Sequence, residues 1–117
     1  MSSPWFTEQV RADRAATVRV RYVGVADWWG RHVWIERDDV RSVLQYSPGA
    51  AIGFAWGRAG LGARELARSI LSDAAGDRQL AEALHVAYVH DVIAALPDDG
   101  FELDRADVLA WLGEQTG

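Results

Sequence analysis

The sequence predicts an α+β fold in which a small antiparallel sheet of two or three strands packs against about three helices. Two observations carry that prediction. Up to residue 46 the apolar residues recur with a period of two, and beyond residue 61 they recur with a period near 3.6. Strands gathered first and helices last argue against alternating β-α-β units and for a sheet covered on one side by helices. At 117 residues the chain is long enough for one modest core and too short for two, so residues 1–117 are read as one domain.

Residues 3–15 read as a short helix, with Ser3 as cap and Pro4 in the first turn, where a missing N–H costs nothing. The stretch Thr17-Val-Arg-Val-Arg-Tyr-Val-Gly24 alternates Val18, Val20 and Tyr22 against Arg19 and Arg21, as a half-buried strand does. A second strand spans His32 to Arg37. Asp27-Trp28-Trp29-Gly30 reads as the hairpin connection, and Asp38-Asp39 ends the second strand. Residues 40–46 supply a third strand before the break at Ser47-Pro48-Gly49.

Leu66, Ile70, Leu71 and Ala74 share one face of a helix starting near Ala63, which Gly76 should close in a left-handed cap. Asp77 then caps a second helix reaching Leu96. Its Leu80, Leu84, Tyr88 and Val92 form one stripe and Val86, Val89 and Ile93 another, the wide apolar arc of a central helix. Pro97-Asp98-Asp99-Gly100 is a turn. Asp104 begins a last helix, with Leu103 and Val108 as a hydrophobic staple and Leu109, Trp111 and Leu112 packing inward.

Composition narrows the function. The formal charge is −5, which disfavours duplex nucleic acid, since such binding depends on cations displacing counterions along the phosphates. All 12 basic residues are arginine, so lysine Schiff bases and the P-loop lysine are excluded. With no cysteine, disulfides, thiolate nucleophiles and zinc–cysteine sites are excluded too. No apolar run approaches the roughly 20 residues that span a bilayer, and the first residues lack a basic-then-apolar leader. The expected location is cytoplasmic, with no membrane partner and no cofactor.

The most suggestive segment is Gly53-Phe-Ala-Trp-Gly-Arg-Ala-Gly-Leu-Gly-Ala-Arg64, four glycines, a tryptophan and two arginines ahead of the strongest helix signal. Such a loop can present amides and a positive helix end to an anion. In that reading Gly57, Gly60 and Gly62 contribute N–H groups, Arg58 and Arg64 neutralise phosphate, and Trp56 stacks on a base. The alternative is a structural turn with Trp56 in the core. Neither the Walker loop nor the dinucleotide fingerprint is present.

This loop, with the following Leu66-Ala-Arg-Ser-Ile-Leu71, resembles a small domain-of-unknown-function family of bacteria and phages. That family's signature runs Gly-Phe-x-Trp-Gly-Tyr-Gly-Gly-Ser-Gly-Pro and then a Leu-Ala-x-Ala-Ile-Leu helix. Arg21-Tyr-Val-Gly24, Tyr46-Ser-Pro48, Val92-Ile-Ala-Ala-Leu-Pro97 and Trp111-Leu112 match its other landmarks. Arg58, Ala59, Leu61 and Ala63 replace the family's Tyr, Gly, Ser and Pro. The resemblance carries no assigned chemistry, and the phage context implies an accessory or counter-defence role.

Two function classes follow. The first is a non-enzymatic binder of a phosphorylated, nucleotide-like small molecule held in the glycine-rich loop. The second is a protein-binding inhibitor of a bacterial defence complex. It would use the acidic surface and exposed Trp28 and Trp29, with Arg19, Arg21 and Arg31 as a polar rim. A hydrolase or transferase would centre on His90 beside Asp91, for which no nucleophile can be assigned. His85 and His90 lie roughly 140° apart on a helix and cannot chelate one metal together. Glu82 and His85 form a single Glu-x-x-His pair where di-metal bundles need two, so no metal is expected.

Overall fold

The computed structural model describes residues 19–45 and 53–116. Within them the chain runs β1 (Val20–Asp27), β2 (Gly30–Arg37), β3 (Val40–Val43), α1 (Leu61–Ala75), α2 (Arg78–Asp91), β4 (Gly100–Asp104) and α3 (Arg105–Thr116). A 3₁₀ turn, Ile93–Ala95, follows α2. The four strands form one antiparallel sheet in the order β3-β2-β1-β4. The α+β class therefore holds, with one strand more than the two or three expected. The expected helix at 3–15, residues 17–18 of the first strand and the break at 47–49 lie outside the described residues.

The added strand is β4. Gly100-Phe-Glu-Leu-Asp104 has only five residues and borrows its order from β1, with which it pairs Gly24 to Phe101 and Tyr22 to Leu103. Leu103, expected only as a staple, thus belongs to a strand that runs directly into α3. Pairing also fixes the faces. Tyr22, Gly24, Val33 and Phe101 turn toward the helices, while Arg21, Val23 and Glu36 turn away.

Gly24 is where the sheet makes room for an aromatic ring. A Cβ there would lie 2.1 Å from Cε2 of Phe101, whose ring meets Trp56 edge-on at 4.9 Å. Leu66, Ala67, Ile70 and Leu71 of α1 close the core over these rings, with Tyr88 and Val89 of α2 and Val108 and Leu112 of α3.

The helix ends follow the expected chemistry. Gly76 is left-handed (φ 67°) and its N–H donates to Ser72 O at 2.8 Å. Asp77 accepts from the Leu80 N–H at 3.1 Å. Helix α2 stops at Asp91 rather than Leu96. Its buried face is Ala81, His85, Tyr88 and Val89, which leaves Val86 54% exposed; α2 is a flanking helix and not a central one. Leu109 on α3 is likewise outward, at 44%, while Leu112 is buried.

A polar lock joins three elements. The Tyr22 hydroxyl donates to Asp73 on α1 at 2.6 Å, and Arg105 on α3 donates to Asp73 at 2.7 Å and to the Tyr22 oxygen at 3.3 Å. Burial, and then donation to Asp73, push the Tyr22 phenol well above its ordinary value; burial does the same to Tyr88. Because the folded values are raised, the stability these phenols confer is complete below about pH 10 and is lost as pH rises through the folded values. With no lysine in the chain, few other side chains titrate there. Thermal melting should therefore fall steeply above about pH 10, and Tyr22→Phe should flatten that limb while costing about 1–2 kcal/mol at neutral pH. A melting temperature flat to pH 11 would contradict the lock.

Candidate functional site

The glycine-rich loop leads into α1, and its residues are mostly spent on the fold. Trp56 has no solvent exposure. Phe101 meets it edge-on, and the Arg31 guanidinium lies over its ring with Cζ 4.6 Å from the centroid. The Arg31 Nη1 also donates to the Trp56 carbonyl at 3.3 Å. The indole N–H of Trp56 is buried with no acceptor among the described residues. A base cannot stack on this ring without opening the core, which corrects the role expected of Trp56.

The amides tell a similar story. Gly57 N–H donates to Ile93 O at 3.0 Å, Ala55 N–H to Gly62 O at 3.2 Å, and Arg64 N–H to Gly60 O at 3.0 Å. Gly57 needs its φ of +80°, and a Cβ there would sit 2.2 Å from Asp98 Oδ1. Gly62 is buried, with room for a Cβ closed by Gly53 O and Ala55 at 2.8 Å. Gly57 and Gly62 thus answer to packing, whereas a Cβ at Gly60 would meet nothing. Arg58, Gly60 and Arg64 remain exposed, and neither arginine has an ion-pair partner among the described residues.

At the β1–β2 turn the situation is reversed. Trp28 is 83% and Trp29 73% exposed, and their rings lie against each other with centroids 4.0 Å apart. Asp27 Oδ1 accepts from the Trp29 N–H at 2.9 Å, bracing the turn, and His32 Nε2 lies 3.5 Å from the same oxygen. A two-residue turn gives neither ring a core to enter, so both stand in solvent. The expected arginine rim does not assemble around them. Arg19 pairs with Asp104 at 2.6 Å. Arg21 binds Glu36 across the strands and reaches Glu102 at 3.3 Å. Arg31 faces the core side and holds Trp56. With Arg41 also on Glu36, that carboxyl is kept below the usual carboxylate range by its two guanidinium donors.

The remaining candidates lie on α2. His85 is buried, its Nδ1 2.6 Å from the Glu82 carbonyl, while the Glu82 carboxylate binds Arg68 at 2.8 Å. His90 is exposed, its Nδ1 3.1 Å from Asp91, and Asp91 also accepts from the Trp111 indole at 3.0 Å. Among the described residues no serine, threonine or tyrosine hydrogen-bonds the His90 ring. Among the described residues no group of three or more His, Cys, Asp or Glu could hold a metal, and no helix is long and apolar enough to cross a membrane.

Comparison with known proteins places the chain in a family. The family described as "Family of unknown function (DUF6166)" matches residues 22–114, taking in all but the first two residues of the sheet, the loop and nearly all of α3. The chain belongs to this family. No curated protein and no solved structure matches it. The DUF6166 match covers the Trp28–Trp29 turn and the Trp56 loop alike, so the choice between them rests on their geometry.

Proposed function

We propose that the protein is a non-enzymatic protein-binding module whose contact surface is the hairpin tip carrying Trp28 and Trp29. The observation that supports this is the exposure of two indoles, tilted against each other, on a braced two-residue turn. Exposed tryptophan is costly to leave in water and is among the residues most enriched in binding hot spots. Rings already held against each other lose little side-chain freedom on docking. Such a module acts by occupying a partner, as an inhibitor of a bacterial or phage-related assembly would.

Small-molecule capture has lost its stacking ring and its Gly57 amide to the core, and it would rest on Arg58, Gly60 and Arg64 alone. The two readings separate in solution. A random peptide library is selected on the wild-type protein and counter-selected on Trp28→Ala/Trp29→Ala. Sequences that require the tip support the module, and their absence overturns it. A melting temperature that rises with the concentration of a linear or cyclic nucleotide, and fails to do so in Arg58→Ala/Arg64→Ala, would return the capture reading.

A further inference from the structure

Resting on that reading, we infer that the segment the tip receives is cationic: an arginine- or lysine-bearing stretch whose side chains lie on the Trp28–Trp29 pair and whose chain runs toward the acidic start of β4. The sheet brings these features to one end of the molecule. Asp27 pairs with Gly30 across the tip, Val25 pairs with Gly100, and Ala26 N–H donates to Asp99 O at 3.4 Å. The Pro97–Gly100 turn therefore lies two residues from Trp28 along β1.

Three carboxylates, Asp98, Asp99 and Glu102, gather at that end, and Asp99 has no cation of its own among the described residues. Asp98 is 78% exposed and meets Arg31 only at 3.9 Å. Asp99 is exposed and has no ion pair among the described residues. Glu102 shares Arg21 with Glu36, which Arg41 also holds. An open hollow of about 360 Å³ is lined by Val23, Gly24, Asp99, Gly100, Phe101 and Glu102. The nearby arginines are committed elsewhere: Arg31 lies on Trp56 and Arg21 is held by carboxylates. Arg58 follows Gly57, which borders Asp98, and Arg21 reaches Glu102, so the carboxylate left without a cation at this end is Asp99.

Two physical effects then favour a positive guest. Indole faces attract guanidinium and ammonium groups, and the molecule itself uses that contact between Arg31 and Trp56. A net charge of −5 draws cationic segments in and repels acidic ones.

The composition of the peptides selected above tests this separately from the module itself. Tip-dependent peptides rich in arginine or lysine support the inference. One of them should lose at least about 30-fold in affinity with Trp28→Ala/Trp29→Ala, which leaves the net charge unchanged, and about 3- to 10-fold with Asp99→Asn/Glu102→Gln. It should also weaken with added salt. Tip-dependent peptides that are uncharged or acidic overturn the inference and leave the module standing. Cationic peptides that bind the wild-type protein and Trp28→Ala/Trp29→Ala equally show unspecific attraction and overturn it too. With no tip-dependent peptide at all, both fall.

Discussion

Trp56→Ala should destabilise the protein by about 3–5 kcal/mol, lowering the melting temperature by more than about 10 °C. The indole is completely buried, and its removal leaves a cavity beneath α1 that the surrounding side chains cannot fill. It also removes the edge-on partner of Phe101 and the ring under Arg31, contacts worth about 0.5–2 kcal/mol each. Set against a total of about 5–15 kcal/mol for a domain, the loss approaches unfolding. Trp56→Phe should cost far less, since it keeps most of the apolar volume and removes an N–H that has no acceptor among the described residues. Chemical denaturation with an unchanged slope reads both values directly. If Trp56→Ala left the midpoint in place, the ring would be a surface group and the loop would regain its standing as a ligand site.

Trp28→Ala/Trp29→Ala should do the reverse. Both rings touch mainly each other and solvent, so the double variant should keep its melting temperature, with a stability change within about 0.5 kcal/mol. Its affinity for a tip-dependent peptide should fall by about 30-fold or more, the loss expected when a hot spot worth about 2 kcal/mol or more is removed. Titration calorimetry on the two proteins measures the difference. A large loss of stability with binding intact would mean that the rings serve the fold. The Trp56 variants and the double tip variant thus separate the two candidate sites, the buried ring of the glycine-rich segment serving the fold and the exposed rings of the turn serving binding.

Much of the architecture was legible from local patterns. The alternation through Val20 and Tyr22, the turn at Asp27–Gly30, the left-handed Gly76 and the Asp77 cap are each decided within a few residues, and each stands in the structure. Strand β4 was not legible, because Gly100–Asp104 is a strand only by virtue of lying beside β1. Val86 and Leu109 misled because a periodic apolar residue can sit just off a buried face. Only the packing of α2 and α3 shows where that face ends.

The site was half legible. That adjacent tryptophans in a two-residue turn leave a ring outside follows from backbone geometry, and both rings proved exposed. What no local pattern could show is that Arg31, 25 residues upstream, would lie on Trp56, or that Ile93 would accept from Gly57. Glycines suited to a ligand and glycines suited to tight packing look the same in sequence. Only the partners of their amides distinguish them.

Hydrogen exchange of the six indole N–H groups, followed by ¹⁵N NMR on the intact chain, tests the central claim most directly. The account predicts that Trp56 exchanges only on global unfolding, while Trp28 and Trp29 exchange at nearly the rate of free indole. Fast exchange at Trp56, or protection at Trp28 and Trp29 in the free protein, would contradict it.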